Sequence, residues 1–576
     1  MKKLLTCILV FTMVLIALAG CDTTGKQTDA TSPPPQQTKK DDTTQAPTDD
    51  PLGYLNLDTT MPIVKEGSSL TLELIAVQQE WVTASPEDHY IWAFFKEYCN
   101  LDLDVTYYQA GSWAEQRNLV FSGGDLPDIF YQCGFSTSDM VRYGQGEGLL
   151  HPLEELIEQY APLIQMAIET NPSILLETKT PDGHMYCIPR ITAEYVELNT
   201  VRMFINKAWL DKGNLKMPAT LDDLVEVLRY FRDGDPNENG EADEIPWLGS
   251  AGGTSTVIMT ALGMNTNSSL EIFVKSDGKT VSIPPMEDNY IHYLTYMKQL
   301  MDEGLFNSDF YTMSTEQINA TLARNIVGLS QMAAPFINMP EPEQYRQYEA
   351  LIPVTSAYSS ERVWPVGTSL GQGTFAIAYD TEYPEAAIRM ANVFFEEGIP
   401  LLFWLGPIKS ESYEPQYPIE GWDPSFCYYE DGAFGIECPD GTDAWTYINN
   451  HVGIYNGGPV GFMYKDQQLY DQLGMHDARM PENELIWRES MQANVAPYEK
   501  QPLPTLFLDL ETLERANELI TPINDYIETM EAKFIMGNEP LENIDAFKEQ
   551  LKSLGIEEFL QIYQDAYNAY LANVAG

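Results

Sequence analysis

The residues with the clearest chemical spacing are Asp235, Asn237, Asn239, Gly240, Asp243 and Glu244. Their run, Asp-x-Asn-x-Asn-Gly-x-x-Asp-Glu, starts as a calcium loop starts. Alternate oxygen-bearing side chains converge on one point, and the glycine permits a sharp turn. An EF-hand needs a bidentate glutamate at position twelve, where this chain has Pro246. The acidic closure falls at positions nine and ten instead; an empty Asn/Asp/Gly turn is the alternative. Catalytic constellations do not emerge. Gly367-Thr-Ser369-Leu-Gly371 has the letters of a nucleophile elbow, but a strand at Phe375–Ala378 follows where that motif requires a helix. Gly278-Lys279-Thr280 lacks the upstream glycine of a P-loop. The 6 histidines include no His-x-x-x-His pair. The enzyme class left open is a secreted glycosidase, which needs only two carboxylates about 5–9.5 Å apart.

The composition narrows the partners. Against 33 lysines and arginines stand 85 aspartates and glutamates, a formal net charge of −52. Nucleic acid is excluded, because a phosphate backbone is held by basic patches that release its counterions. Between Arg389 and Lys465 the one basic residue is Lys409. With 33 Tyr, 23 Phe and 10 Trp the chain is too apolar to stay disordered.

Met1-Lys2-Lys3 is a positive n-region, and Leu4 to Leu18 is an apolar run too short to span a bilayer. It ends in Leu18-Ala19-Gly20-Cys21, which resembles a bacterial lipobox and makes Cys21 the expected lipidated N-terminus. A signal peptide is therefore expected at 1–20, and a lipidated, disordered tether at 21–65. Cys99, Cys133, Cys187, Cys427 and Cys438 remain, without a Cys-x-x-Cys pair for zinc or redox chemistry. Cys427 and Cys438 either bridge a hairpin or are separately buried thiols.

The elements that must position any site follow from periodicity. Leu70-x-Leu72-x-Leu74, continuing through Val77, reads as a strand, as do 101–107, 128–131, 202–205 and 375–378. Helices are expected over 90–98, from Thr220 to Phe231 behind a Thr220-x-x-Asp223 capping box, and from Pro384. The last 70 or so residues are helical, with Gly537 and Gly555 as stops. This β-α-β alternation predicts α/β architecture with parallel sheets covered by helices.

A series of segments then carries a resemblance. They are Ser122-Gly-Gly-Asp-Leu-Pro-Asp-Ile129, Asp182-Gly-His-Met-Tyr-Cys-Ile-Pro189, Ile205-Asn-Lys-Ala-Trp-Leu210 and Asp235-Pro-Asn-Glu-Asn-Gly through Pro246. Tyr383-Pro-Glu-Ala-Ala-Ile-Arg389, Ala532-Lys-Phe-Ile-Met-Gly537 and Tyr563-Gln-Asp-Ala-Tyr567 complete it. Together they resemble extracellular solute-binding proteins of family 1, the carbohydrate-importer type, and most of all the LipO-like lipoprotein subfamily. The resemblance implies a type II periplasmic-binding-protein fold: two discontinuous α/β lobes, a hinge and a helical C-terminal region. Lobe one would be 66–192 plus 368–460, and lobe two 193–367 plus 461–576. It implies a monomeric, lipid-anchored receptor on the extracellular face of the membrane, not an enzyme, that closes on an oligosaccharide and delivers it to ABC permease subunits.

The resemblance also extends to alginate-type binding proteins, which implies a structural Ca2+ held by Asp235, Asn237, Asn239, Asp243 and Glu244 with the carbonyl of Glu241. Glu238 stands where glycine is common, which disfavours a left-handed backbone there. A sugar is gripped by aromatic faces and planar polar groups at strand ends. The expected contacts are Glu80 and Trp81, Tyr131 and Gln132, Arg190, Trp247, Trp364, Trp404 and Trp422. Trp92 and Trp209 fall on apolar helix faces and are assigned to packing.

Overall fold

The structure is a computed structural model and describes residues 51–575 apart from 81, 83, 192–200, 250, 308, 310–312, 369, 412, 431–432, 443 and 454–481. The expected signal peptide, Cys21 and the tether up to residue 50 lie outside the described residues.

The main strands in chain order begin with β1 (Leu70–Gln78), β2 (Leu101–Gln109), β3 (Ile129–Tyr131) and β4 (Cys187–Ile191). Next come β5 (Met203–Asn206), β6 (Ile245–Leu248), β7 (Val327–Gln331) and β8 (Tyr348–Ala350). The last are β9 (Trp364–Pro365), β10 (Leu370–Ile377) and β11 (Glu499–Lys500). The helices used below are α1 (Tyr90–Cys99), α2 (Ala110–Gly123), α3 (Ser173–Thr178), α4 (Leu221–Asp233) and α5 (Ala251–Ala261). They continue with α6 (Tyr290–Asp302), α7 (Pro384–Val393), α8 (Leu510–Ile535), α9 (Ile544–Ser553) and α10 (Ile556–Ala575).

Two sheets organise these elements, in the orders β2-β1-β3-β10-β4 and β8-β5-β7-β6. In the first, β2, β1 and β3 are parallel, as the βαβ pattern requires. The all-parallel expectation fails at β10, which runs antiparallel to both β3 and β4. It arrives from the second sheet, so it enters at the edge where β1 to β4 end and must run the opposite way. The second sheet is mixed too: β5 pairs antiparallel with β7 and β8, while β6 and β7 are parallel.

Alternation along β1 divides its side chains between two cores. Leu70, Leu72, Leu74 and Ala76 pack with Phe94, Phe95 and Phe394, whereas Ile75 and Val77 join Trp113, Phe121 and Phe130 on the other face. Trp92 lies in the first of these groups, as its helical face predicts. The ordered chain starts earlier than expected. Leu55, Ile63 and Val64 are already buried, and the N–H groups of Ile63 and Val64 donate to the Cys99 carbonyl, so the tether cannot extend to 65.

The third and largest core surrounds the second sheet. Trp209 meets Phe231 edge-on at 5.2 Å, on the face of α4 that the sequence marks as apolar. Both halves of the Thr220–Asp223 capping box form, at 3.0 and 3.1 Å. The C-terminal helices complete this core: Ile523, Ile527 and Phe534 of α8 are fully buried, and Gly537, at φ 73°, ends the helix where a side chain would be strained. Cys99, Cys133, Cys187, Cys427 and Cys438 are buried free thiols. Among the described residues no helix is long and apolar enough to cross a membrane.

Candidate functional site

The chain passes from the first sheet to the second after Ile191, at the end of β4, and re-enters the first at Leu370. The ends of β1 to β4 therefore face the crossing, and strand ends of this kind are where α/β proteins hold ligands.

Two buried amide oxygens that accept no hydrogen bond stand there. Gln78 and Gln109 are register partners at the last positions of β1 and β2. Each has a buried amide oxygen that accepts no hydrogen bond, and Gln78 is 4% exposed. A buried acceptor left unmet costs about 1–3 kcal/mol, so a hydroxyl donor brought to it is favoured. Beyond β3, Gln132 is buried with φ 57°, a left-handed backbone that non-glycine residues adopt mainly at functional or strained sites. It is held by its N–H to the Thr374 carbonyl at 2.7 Å.

Opposite it, β10 is bulged between Gly371 and Phe375. Gly373 has φ 47°, and a Cβ there would lie 2.3 Å from the Phe135 carbonyl oxygen. Glycine is what lets the bulge approach the 132–135 turn. Arg190 is half-buried on β4, fixed by its N–H to Thr374 Oγ1 at 2.9 Å. Its guanidinium makes no ion pair with a described residue. Glu80 is exposed, and its carboxylate accepts the Gly111 N–H in the first turn of α2, a placement that helix polarity favours.

The second sheet's edge differs. Trp247 is 0% exposed, edge-on to Phe306 at 6.0 Å, with its indole N–H unpartnered. Trp364 is 1% exposed and donates its Nε1–H to the Val201 carbonyl at 3.0 Å. Both expected ligand contacts are corrected by this burial, since neither indole keeps a face for a sugar. Tyr131 is likewise a core residue, set between Trp92 and Phe394. Trp422 is half-buried, edge-on to Tyr90 of α1 at 5.7 Å. Trp81 and the side chain of Trp404 lie outside the described residues. Arg202, at the entrance to β5, stacks over Trp487 at 4.9 Å and donates to the Ala333 carbonyl at 2.7 Å.

The 235–244 loop lies before β6. Asp235 Oδ2 accepts the Gly240 N–H at 3.2 Å, and Asn237 and Asn239 cap the N–H groups of Asn239 and Glu241 at 3.0 and 2.7 Å. Asp243 receives Asn239 Nδ2 at 2.9 Å and lies 3.4 Å from the Arg324 guanidinium. The expectation that Glu238 resists a left-handed backbone is overturned: its φ is 59°. Lys212 compensates, pairing with Glu238 at 3.0 Å and donating to the Pro236 carbonyl at 2.7 Å. Among the described residues no three of His, Cys, Asp and Glu stand close enough to hold a metal. The donor set still fits a hard cation. Glu244 Oε1 is buried and unpartnered, and burial, with the nearby charges of Asp235 and Asp243, raises its pKa.

The sequence profile of bacterial extracellular solute-binding proteins matches residues 79–398, more than half of the chain. The chain belongs to that family. Among its relatives is the fructooligosaccharide ABC transporter substrate-binding protein FusA of Streptococcus pneumoniae serotype 4 (strain ATCC BAA-334 / TIGR4). The two are 26% identical over 526 residues, covering 87% of this chain and 91% of FusA. The polygalacturonan/rhamnogalacturonan-binding protein YtcQ of Bacillus subtilis (strain 168) is 25% identical over 300 residues, 52% of this chain and 57% of that one. Lipoprotein LipO of the same organism is 27% identical over 244 residues, 41% of this chain and 44% of LipO.

The solved structure of FusA with kestose superposes with a TM-score of 0.69 at 23% identity, over 87% of this chain and 100% of that one. A solute-binding protein from Bifidobacterium longum subsp. infantis superposes with a TM-score of 0.70 at 19% identity, over 88% and 99%. The solute-binding-protein fold, with α/β lobes and a helical C-terminal region, is thus the fold of this chain.

Within this solute-binding protein, sequence reasoning placed Gln132, Arg190 and Glu80 at the strand ends. It missed Gln78 and Gln109, planar polar side chains of the type it sought, and Thr374. The available signal was a glutamine closing each of two consecutive strands.

Proposed function

We propose that this chain is a lipid-anchored extracellular receptor that binds an oligosaccharide at the strand ends between two lobes and passes it to an ABC permease. The reading rests on one observation above others. Where the chain crosses between its sheets, two buried amide oxygens accept no hydrogen bond and the Arg190 guanidinium makes no ion pair with a described residue, in a chain of the solute-binding family. Gln78, Gln109, Gln132 and Arg190 offer both acceptors and donors to sugar hydroxyls.

FusA, named for fructooligosaccharides and related over most of this chain, supports an oligosaccharide as the solute. The lobes are 66–192 plus 368–460 and 193–367 plus 461–576, and closure is driven by the ligand's preference for the closed state. Cys21 carries the lipid, and the protein acts as a monomer without catalysis.

The 235–244 loop holds a structural Ca2+ through Asp235, Asn237, Asn239, the Glu241 carbonyl, Asp243 and Glu244. A solved form of FusA, described as an EF-hand mutant, supports a cation loop in a relative. The cation supplies charge that this acidic loop lacks and joins the end of α4 to the start of β6.

A thermal-shift screen against fructo-, malto-, xylo- and galacturono-oligosaccharides tests the receptor reading; a raised Tm with one class and no hydrolysis supports it. Hydrolysis of a bound sugar without compaction in solution scattering overturns it. For the cation, chelator lowers the Tm and calcium restores it; an unchanged melt removes the assignment.

A further inference from the structure

One segment that crosses between the sheets and one second-lobe segment that leads into α8 are paired loosely with each other and tightly to one carboxylate. β9 and β11 form a two-stranded parallel ladder, Trp364 beside Glu499 and Pro365 beside Lys500. Beyond this ladder the chain continues as 366–370 into β10, and as 501–508 into α8. Glu177, on α3, reaches both continuations. Its Oε2 accepts the Thr368 hydroxyl at 2.6 Å and the Thr505 hydroxyl at 3.1 Å. Helix α3 is anchored in the first sheet's core through Ile174.

The 501–508 segment runs between two grooves, with Leu503, Leu506 and Phe507 partly buried and Leu508 buried. A cavity of about 540 Å3 lies on one side, between Thr137, Asn267, Thr368 and Asn524, and a second of about 560 Å3 on the other, between Leu175, Phe507 and Ala569. Thr505 and Leu506 line both. Both cavities are open to solvent along the segment, so it can shift without breaching a closed interior. Pro502 and Pro504 stiffen it and remove two N–H groups that would otherwise tie it down.

We propose that Glu177 is a positioning residue for closure: one carboxylate that ties the crossing segment at Thr368 and the second-lobe segment at Thr505 to the first lobe and so fixes the pivot about which the second lobe turns. This rests on the two-lobed receptor reading, but it is a statement about the ligand-free chain. A carboxylate is suited to the task because one oxygen accepts two hydroxyls, and hydrogen bonds to a charged acceptor are about twice as strong as neutral ones.

The test uses the folded chain from residue 51 onward, with nitroxide labels on Leu119→Cys and Ile337→Cys, two exposed positions, one beside each sheet. The native thiols are buried and stay unlabelled. Glu177→Ala is expected to broaden the distance distribution between labels and to speed amide exchange at Leu503 and Thr505 to Leu508 roughly tenfold. Exchange in β1 and β3 stays as in the parent. Glu177→Gln, whose carbonyl oxygen still accepts both hydroxyls, restores most of the parent behaviour, and the Thr368→Val, Thr505→Val pair reproduces Glu177→Ala.

An unchanged distribution in Glu177→Ala overturns the proposal. So does Glu177→Gln behaving like Glu177→Ala with faster exchange throughout β1 and β3, because that marks a fold defect. Failure of the receptor reading shows separately, as a parent chain whose label distance ignores every sugar in the thermal-shift panel.

Discussion

The two sheets of this protein meet the same crossing with opposite surfaces. The first presents a strained Gln132, a glycine bulge, two unmet glutamine oxygens and an Arg190 that makes no ion pair with a described residue. The second turns Trp247 inward, as the neighbouring β9-β11 ladder does Trp364, both fully buried, and keeps its polar chemistry elsewhere. That chemistry sits in the 235–244 loop before β6 and in a buried carboxylate, Glu531, which accepts the Tyr290 and Tyr293 hydroxyls at 2.7 and 3.0 Å. The contrast teaches that the halves divide the work. One half keeps polar groups available at a cost in stability, and the other is a packed scaffold.

That division can be broken most forcefully at Gly373. Gly373→Ala puts a Cβ against the Phe135 backbone at a positive φ, and is expected to cost about 5 kcal/mol of strain and overpacking. Urea titration reads it, and a loss under 1 kcal/mol would mean the bulge is not tightly built. On the scaffold side, Trp247→Ala is expected to cost about 4 kcal/mol as a core cavity. Trp247→Phe should cost under about 1.5 kcal/mol, because it also removes an unsatisfied indole N–H. Equal losses in the two variants would restore Trp247 to the candidate ligand contacts.

Acid should separate the halves by sign. His89, between Tyr107 and the Asn449 carbonyl, is kept neutral by burial, its pKa lowered to about 4. The unfolded chain takes up a proton near pH 6.5, so stability present above that value is lost as the pH falls toward 4, by about 3 kcal/mol. Burial raises the pKa of Glu531, the opposite case. Its contribution is complete below about pH 4.3, the ordinary glutamate value, and is lost as the pH rises through its folded value. Urea midpoints from pH 4.5 to 8 should therefore flatten in opposite senses for His89→Gln and Glu531→Gln; slopes of the same sign would refute the contrast.

Smaller effects sharpen it further. Glu244→Gln should abolish most of the calcium-dependent rise in Tm while leaving the metal-free melt within a degree or two of the parent. Arg190→Ala should change stability by less than about 0.5 kcal/mol, as surface substitutions do, yet weaken binding of the sugar found in the thermal-shift screen about tenfold by calorimetry. If Arg190→Ala leaves that affinity intact, Arg190 belongs to the scaffold.

Much of the architecture was legible in the chain, for reasons that can be named. β1 was readable because a strand covered on both faces is apolar throughout its buried part, and α4 because Thr220 and Asp223 cap it locally. The 235–244 turn was equally readable, since all its partners but Lys212 and Arg324 are its own neighbours. The direction of β10 was not readable, because strand polarity depends on the side from which a distant segment arrives. Glu177 gave no signal either: its partners lie 191 and 328 residues away.

By itself, then, the sequence determined the periodic elements, the caps, the 235–244 turn and the family, all of which rest on residues within a turn or two of one another. Tertiary structure decided which of the marked side chains stay open. It buried Trp247, Trp364 and Tyr131 because large aromatic surface is worth most inside a core. It left the amide oxygens of Gln78 and Gln109 unmet and Arg190 without an ion pair to a described residue, because the strands end there. Residue type alone cannot distinguish an aromatic that grips a ligand from one that fills a core; only the packing around it does.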